Sequence, residues 1–343
     1  MRILGIETSC DETSAAVVEN GRAVLSCVIA SSGKDFEKTG GVIPEDAARK
    51  QLESILPVIQ KSLRDASMTP KELDAIAVTF GPGLLGSLLV GTTTARTFSS
   101  VWNTPIIPVH HTLGHLSSTW LFGSEKNTEP SFPILTLSVS GGHSDLWYRK
   151  SHTQAHLLGS TRDDAAGEAF DKGAVMLGLP YPGGPALASL ALSGDSTTFA
   201  FPLPLAKEKT CDFSFSGLKT SLKYLIRDLG NAMEDPKTRA SVAASYEHAI
   251  CTHLCKSIEE ALVLKPDTKE LHIVGGVSAN EHLRTFAVSI AKKYGMVVRW
   301  PTTLRYCTDN AAMIASAGYY LFREKPDIIS MPFLTKATTK MNE

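Results

Sequence analysis

The sequence predicts an α/β protein made of two similar halves. Two runs of three short strands begin near residues 3 and 132, and helical sequence follows each run. A strand–helix–strand run lies between them at 74–109. At 343 residues the chain is long enough for two domains, because one domain usually contains about 100–200 residues.

The first half begins with three strands and continues with a βαβ run. Asn20-Gly21 separates two apolar runs and is the strongest short-range signal for a hairpin. The helix EDAARKQLESILPVIQKSL comes next, and we expect Pro57 to kink it. The crossover helix LLGSLLVGTTTARTFSSVW predicts that the strands on either side of it are parallel. The strands predicted in this half are 3–7, 14–19, 22–30, 74–80 and 105–109.

The second half repeats the opening pattern. FPILTLSV, DLWYR and AHLLGS read as strands, and the strand ELHIV follows later. The first turns of the two halves, TSCDE and SGGHS, consist of small and polar residues whose backbone N–H groups can approach a phosphate. Each turn alone could be an ordinary tight hairpin. As a facing pair, the two turns would clamp a nucleotide between the domains.

The segment HHTLGH places three imidazoles within six residues. His111 and His115 are four residues apart and therefore lie on one face of a helix. They follow the strand 105–109, and ligands of parallel sheets bind beyond the carboxyl ends of the strands. This placement favours a metal site over two ordinary surface histidines. Asp309 either caps the last helix, CTDNAAMIASAGYYLF, or completes a His, His, Asp ligand set.

Acidic and glycine-rich segments mark a second candidate site. DDAAGEAFDK carries Asp164, Glu168 and Asp171, which form either a solvated acidic face or carboxylates that accept hydrogen bonds from ribose hydroxyls. Gly275-Gly276 precedes a helix capped by Ser278 or Asn280, an arrangement that suits an adenosine or a phosphate group.

Composition excludes several classes of protein. The net charge is -1, so any binding of nucleic acid must use a local patch or a helper protein. No segment approaches the roughly 18 apolar residues of a membrane span, and the six cysteines form no CxxC motif, so we expect a cytoplasmic protein with free thiols. A zinc peptidase of the HExxH kind needs a glutamate after its first histidine, and Thr112 stands there instead.

Ten motifs occur in an order that resembles one known family. They are ILGIETSCDET, GGVIPEDAARK, FGPGLLGSLLVG, HHTLGH, SVSGGHS, DDAAGEAFDK, YPGGP, FSFSGLKTS, GGVSAN and CTDNAAMIA. Over residues 2–320 the chain resembles the TsaD/Gcp family, the tRNA N6-adenosine threonylcarbamoyltransferases formerly described as O-sialoglycoprotein endopeptidases.

The resemblance implies a duplicated, two-domain actin-like and hexokinase-like ATPase fold. The first domain would cover 1–129, with the helix 307–325 packing back on it, and the second 130–306, followed by a tail at 326–343. The implied reaction moves the threonylcarbamoyl group of threonylcarbamoyl-AMP to the N6 amine of adenosine 37 in tRNAs that read codons beginning with A.

The resemblance also implies roles for individual residues. One divalent metal ion, iron or zinc, would be held by His111, His115 and Asp309. Asp11 and Glu12 match the acidic pair near the reaction centre, and either could be the base. The substrate adenylate would contact residues that match the family's binding positions: Ser138, Val139, Ser140, Gly141, Gly142, Asp171, Gly184 and Asn280.

The family works with partners, and this chain departs from the family pattern at three positions. In bacteria the implied partners are an inactive paralogous subunit (TsaB-like) and a P-loop ATPase (TsaE-like). For tRNA, the best local candidate is FSFSGLKTS with Lys219 and Lys223, although this segment could be an ordinary strand–loop–helix junction. Gln51, Ala188 and Ala311 stand where other residues are usual, and we expect them to tune affinity.

Three other functions compete with this interpretation. A sugar or small-molecule kinase shares the fold but needs no HxxxH pair. A small-molecule O-carbamoyltransferase combines histidines with the same fold, and product analysis would distinguish it. A non-enzymatic binding module is disfavoured because both histidines and Asp309 are present.

Overall fold

In the described part of the chain, two five-stranded mixed sheets are flanked by helices. The computed structural model describes residues 1–31, 43–122 and 129–341. The chain divides into two compact units: unit 1 contains 1–130 and 301–343, and unit 2 contains 131–300. Among the helices that can be described, none is both long and apolar enough to cross a membrane.

The sheet of unit 1 has the strand order β3-β2-β1-β4-β5. β1 pairs antiparallel with β2 and parallel with β4, and β5 is parallel to β4. The hairpin predicted at Asn20-Gly21 is present: β2 and β3 pair antiparallel, and both turn residues have positive φ, 51° and 70°. The strands are β1 Arg2–Glu7, β2 Glu12–Glu19, β3 Ala23–Ser31, β4 Ala75–Gly81 and β5 Ile106–His110.

Helices cover both faces of this sheet. Helices α1 and α2 lie against one face, where Ile55 and Val90 join a buried apolar cluster with strand residues such as Leu4. Helix α9 lies against the other face, where its residues 311–317 pack with strand residues such as Ile107. Pro57 lies inside α1. The helices of unit 1 are α1 Pro44–Asp65, α2 Leu85–Trp102, α3 His111–Leu116 and α9 Ala311–Glu324.

Unit 2 repeats the topology of unit 1. Its strand order is β10-β9-β6-β7-β8, so the first three strands form an antiparallel meander and the last two are parallel to the first. The predicted duplication is therefore confirmed. The elements are β6 Ile134–Val139, β7 Ser144–Arg149, β8 Ala155–Ser160, α4 Ala166–Met176, α5 Gly183–Ala191, α6 Ser216–Leu229, α7 Pro236–Leu264, β9 Glu270–Val274, α8 Glu281–Tyr294 and β10 Val297–Arg299.

The structure corrects one expectation about a helix start and decides between two alternatives for another. Asp164 does not share a helical face with Glu168, because α4 begins only at Ala166. Glu168 does lie in the first turn of α4 and pairs with Lys172 four residues later, at 2.6 Å. Between Ser278 and Asn280, it is Asn280 that caps α8.

The motif GGVIPEDAARK is described only in part. Residues 40–42 of this motif lie outside the described residues, and Pro44 opens α1.

Candidate functional site

The two histidines of HHTLGH meet on helix α3. The strand β5 ends at His110, and α3 starts at the next residue. His111 and His115 then lie one helical turn apart, and their Nε2 atoms are 3.1 Å from each other. Both side chains are about nine-tenths buried.

Asp309 joins this pair from the far end of the chain. Its carboxylate Oδ1 lies 3.0 Å from Nε2 of His115 and 3.6 Å from Nε2 of His111. Asp309 is not the cap of α9, because Asn310 accepts the N–H of Met313 at 3.0 Å. Since the neighbouring residue caps the helix, the Asp309 carboxylate is left to face the imidazoles.

The ligand atoms of His111, His115 and Asp309 lie close enough together that the three residues could hold one metal ion. The edges of the triangle formed by these atoms are 3.1, 3.0 and 3.6 Å. Ligand atoms about 2.0–2.2 Å from a tetrahedral ion lie about 3.3–3.6 Å apart. Two imidazoles and one carboxylate also form a donor set that leaves coordination positions open, as at catalytic sites.

A second layer of polar groups holds His111. Its Nδ1 atom lies 3.1 Å from Ser9 Oγ and 3.3 Å from Glu7 Oε2, and Thr79 donates its hydroxyl to the same Glu7 oxygen. Histidine ligands usually donate their second N–H to a carboxylate in this way, which fixes the ring. Burial alone would lower the pKa of His111, but the Asp309 and Glu7 carboxylates raise it to about 9. The charge that favours a proton here also favours a metal cation.

The acidic turn after β1 lies beside Asp309. Burial raises the pKa of Glu12, and the carboxylates of Asp309 and Asp11 raise it further. Burial and the same two carboxylates raise the pKa of the Cys10 thiol, so this cysteine is not a thiolate nucleophile. Gln51 is buried under the turn, and its Nε2 donates to the carbonyl oxygens of Cys10 and Glu12 at 3.0 and 2.9 Å.

In unit 2 the turn after β6 is tight and open to a ligand. The N–H of Ser140 donates to the carbonyl of His143 at 2.9 Å. Among the described atoms, none lies within 4 Å of the place where a Cβ on Gly141 or Gly142 would be. Gly275, with φ 88°, packs its backbone against Val139, so the turn after β9 adjoins the end of β6. The predicted substrate-binding residues on this segment are Ser138, Val139, Ser140, Gly141 and Gly142.

The other three predicted binding residues of unit 2 have internal partners. Asp171 on α4 accepts the N–H of Gly184, at the start of α5, at 3.1 Å. Asn280 accepts the N–H of Leu283 at 2.9 Å and donates its amide to Glu247 at 2.5 Å. The structure therefore links Asp171 to Gly184 and fixes the orientation of the Asn280 amide.

The lysines considered for tRNA contact differ in their surroundings. Lys219 pairs with Asp164 at 2.8 Å, and Lys172 pairs with the same carboxylate. Asp163 accepts hydrogen bonds from the residues that open α6, which ties this segment to the loop before α4. Lys223 is exposed. Ion pairs and hydrogen bonds to Asp163 thus hold the start of α6 against the loop before α4, and Lys219 contributes one of these ion pairs.

Comparison of the sequence with known proteins shows the family to which the chain belongs. A family model described as "TsaD: tRNA N6-adenosine threonylcarbamoyltransferase" matches residues 23–316. Two proteins named tRNA N6-adenosine threonylcarbamoyltransferase, from Anaeromyxobacter sp. (strain Fw109-5) and Symbiobacterium thermophilum, are each 47% identical to this chain, over 324 and 322 residues. Both alignments cover 94% of this chain, and they cover 95% and 92% of the relatives. The chain belongs to the TsaD family.

Solved structures agree with the fold expected of a TsaD protein. HypF of T. kodakarensis superimposes with a TM-score of 0.62 at 16% identity, over 96% of this chain and 49% of that chain. Component A of the (R)-2-hydroxyglutaryl-CoA dehydratase of Acidaminococcus fermentans gives 0.53 at 12% identity, over 94% and 98%. At such identities the likeness concerns the fold alone, and the predicted actin-like ATPase fold is confirmed.

The sequence of this TsaD protein did not predict the residues that contact Nδ1 of His111. Glu7 is fully buried at the end of an apolar strand, and that placement is the signal that could have revealed it. Ser9 had no distinguishing pattern. Gln51 was expected only to tune affinity, and the structure shows it holding the acidic turn. Ala311 is the first residue of α9, and Ala188 is a half-buried residue of α5.

Proposed function

We propose that this chain transfers the threonylcarbamoyl group of threonylcarbamoyl-AMP to the N6 amine of adenosine 37 in tRNAs that read codons beginning with A. The reaction would depend on one divalent metal ion, held by His111, His115 and Asp309. The observation that carries the metal role is the triangle of 3.0–3.6 Å formed by their ligand atoms.

The transfer forms one bond and breaks one. The N6 nitrogen attacks the carbonyl carbon, and the bond from that carbon to the phosphate oxygen breaks, so AMP leaves with the electron pair. A proton then has to leave the nitrogen. Asp11 and Glu12, which lie beside the triangle, are the candidate bases.

A divalent ion at the triangle, iron or zinc, would polarise the carbonyl and hold the threonylcarbamoyl group in place. Glu7 and Ser9 would keep the His111 ring in its ligating orientation through Nδ1. Gln51 would hold the acidic turn through its two backbone carbonyls.

The adenylate is proposed to bind in unit 2. The segment Ser138–Gly142, the end of β6 and the turn after it, offers backbone N–H groups and open space over two glycines. Asp171, Gly184 and Asn280 would contact the nucleoside. In this role the Asp171 carboxylate uses an oxygen beyond the one that accepts the Gly184 N–H, since a carboxylate has several acceptor positions.

A protein partner is supported by exposed apolar side chains on α1 and α2. Leu52, Leu56, Leu85 and Leu89 are each between 44% and 63% exposed, and each helix presents its pair at a spacing of four residues. Clustered exposed apolar side chains are typical of interaction sites, and these four leucines are candidates for one. We propose that the TsaB-like paralogue binds here, that a TsaE-like ATPase joins the complex, and that the complex works in the cytoplasm on tRNA. We also propose that units 1 and 2 act as the two domains expected at 1–129 and 130–306.

Nucleoside mass spectrometry on unmodified tRNA tests this function. Wild type, His111→Ala and His156→Ala are each incubated with bacterial partner subunits, threonylcarbamoyl-AMP and tRNA. His156 is an exposed histidine on β8 and serves as the matched control. We expect threonylcarbamoyladenosine from wild type and from His156→Ala, and a loss of at least about 100-fold with His111→Ala.

Two results would contradict the proposal in different ways. Wild-type activity in His111→Ala would remove the metal role while leaving the transferase. Absence of product from wild type, with partners that are active beside another TsaD protein, would refute the tRNA reaction and favour a small-molecule carbamoyltransferase.

A further inference from the structure

His110, the first imidazole of HHTLGH, lies at the start of α3 but is not one of the three proposed ligands. Its side chain is buried, and its Nδ1 accepts the backbone N–H of Thr112 at 3.2 Å, so it caps the helix. Its Nε2 lies 3.2 Å from the carbonyl oxygen of Thr339. An imidazole nitrogen that accepts an N–H carries no proton itself, so the proton is on Nε2, which donates to Thr339.

Thr339 belongs to the C-terminal tail, residues 331–341, which lies along the edge of unit 1 where β4 and β5 end. The N–H of Lys336 donates to the carbonyl of Phe80 at 2.9 Å, and the N–H of Gly83 donates to the carbonyl of Ala337 at 3.0 Å. The tail comes so close that a Cβ on Gly81 would lie 2.2 Å from the Lys336 carbonyl oxygen.

The start of the tail is anchored on helix α2. The Arg96 guanidinium donates to the Phe333 carbonyl at 3.0 Å and lies 4.6 Å from the centre of the Phe333 ring. The Thr335 hydroxyl is 2.9 Å from that of Thr92. The α2 contacts hold the start of the tail, and the bonds to Phe80 and Gly83 hold it on both sides of the FGPG turn. Thr339, further along the tail, then reaches His110.

We propose that the tail positions the metal-ligand histidines through His110. The Thr339 carbonyl selects the tautomer of His110 and holds its ring, and the ring holds the first turn of α3. This helix has only six residues, too few to be stable without fixed ends, and both His111 and His115 lie on it. His110 is therefore a positioning residue, and the tail is its support. The expected effect on metal affinity rests on the proposed metal role, whereas the contact between His110 and Thr339 does not depend on it.

Four variants test this chain of contacts: a chain ending at Thr338, Met341→Ala, His110→Ala, and the combination of His110→Ala with the shortened chain. Ending at Thr338 removes the Thr339 carbonyl but keeps the pairing of Lys336 and Ala337. Met341 packs against the core of unit 1, so Met341→Ala controls for the loss of that contact.

The first measurement uses the metal-free protein. Amide hydrogen exchange by NMR reports the Thr112 N–H, and we expect it to exchange about fivefold faster in the shortened chain, which is the scale of a lost helix cap. The second measurement is Co²⁺ affinity from visible absorption, and we expect it to fall about tenfold, as for other groups that orient a ligand. Met341→Ala should change neither quantity.

The double variant decides whether the tail acts through His110. We expect His110→Ala to reproduce both effects, and shortening the chain to add less than about twofold to them, because the two changes break one linked contact. Unchanged Thr112 exchange in the shortened chain, or effects that multiply in the double variant, would overturn the inference. If wild type fails to bind Co²⁺, the proposed metal role falls, and Thr112 exchange still decides the positioning role.

Discussion

Gly5 lies in β1 where helix α9 crosses it, and replacing it tests what sets the position of Asp309. A Cβ on residue 5 would lie 2.1 Å from the Ala311 carbonyl oxygen and 3.0 Å from the Ala315 nitrogen. Ordinary contact between such atoms begins near 3.4 Å, so α9 has to move by at least about 1 Å in Gly5→Ala. Asp309 lies two residues before the helix residue that is pushed away.

The displacement should cost both stability and metal binding. Overpacking of a filled core costs about 1–3 kcal/mol, so the free energy of unfolding should fall by that amount. Ligand distances at a metal site tolerate shifts of about 0.2 Å, and a shift of about 1 Å should lower affinity at least about tenfold.

Co²⁺ titration and urea unfolding would be measured on Gly5→Ala and on Gly217→Ala. Gly217 lies in α6 of unit 2, and within the described residues no atom lies within 4 Å of the place where its methyl carbon would be, so alanine should be tolerated there and bind Co²⁺ normally. Wild-type affinity in Gly5→Ala, together with reduced stability, would show that contact between α9 and β1 does not set the geometry of the proposed metal site.

Three further predictions concern acid stability, the junction before α6 and the proposed partner surface. Burial lowers the pKa of His272 to about 4, and hydrogen bonds outweigh burial to lower that of Glu270 to about 2. The unfolded chain therefore binds a proton at His272 at a higher pH than the folded protein does, and the free energy of unfolding should fall from pH 6.5 towards pH 4 in urea unfolding. If His272→Asn leaves the slope of stability against pH unchanged, this prediction is wrong. Asp163→Ala removes the hydrogen bonds to the start of α6 and should cost about 1–2 kcal/mol by the same assay, whereas a change below about 0.3 kcal/mol would refute the capping role. Leu56→Glu with Leu89→Glu should weaken binding of the TsaB-like subunit by at least about tenfold in titration calorimetry with unchanged thermal unfolding, and full binding would place the partner elsewhere.

Local patterns in the sequence were sufficient for most of the fold. Alternating and continuous apolar runs located every described strand except the short β10, and Asn20-Gly21 located the hairpin because both residues must adopt positive φ. The repeated order of strands predicted two similar halves, and the strand orders confirm it. The end of β5 predicted where HHTLGH would lie, because that position follows from chain connectivity alone.

Contacts between distant segments could not be derived in this way. Asp309 reaches His115 from a distant segment of the chain, next to the close packing of α9 on β1 at Gly5, and no spacing in the sequence records either contact. The pairing of Lys219 with Asp164 likewise depends on how the loop before α4 meets α6. The residues offered the His, His, Asp ligand set as one of two alternatives for Asp309, the family resemblance favoured it, and the residue roles that the resemblance implies stay predictions.

The position of Asp309 in the chain has a consequence for synthesis on the ribosome. The two histidines are translated nearly two hundred residues before the aspartate, and all of unit 2 lies between them. At about 5–20 residues per second, this interval lasts roughly 10–40 s. During that time the nascent chain presents two imidazoles without the carboxylate, and α9 has not yet covered its face of the first sheet. All three proposed ligands would therefore be available only after both halves have been translated, so the metal ion would bind near the end of translation or after it.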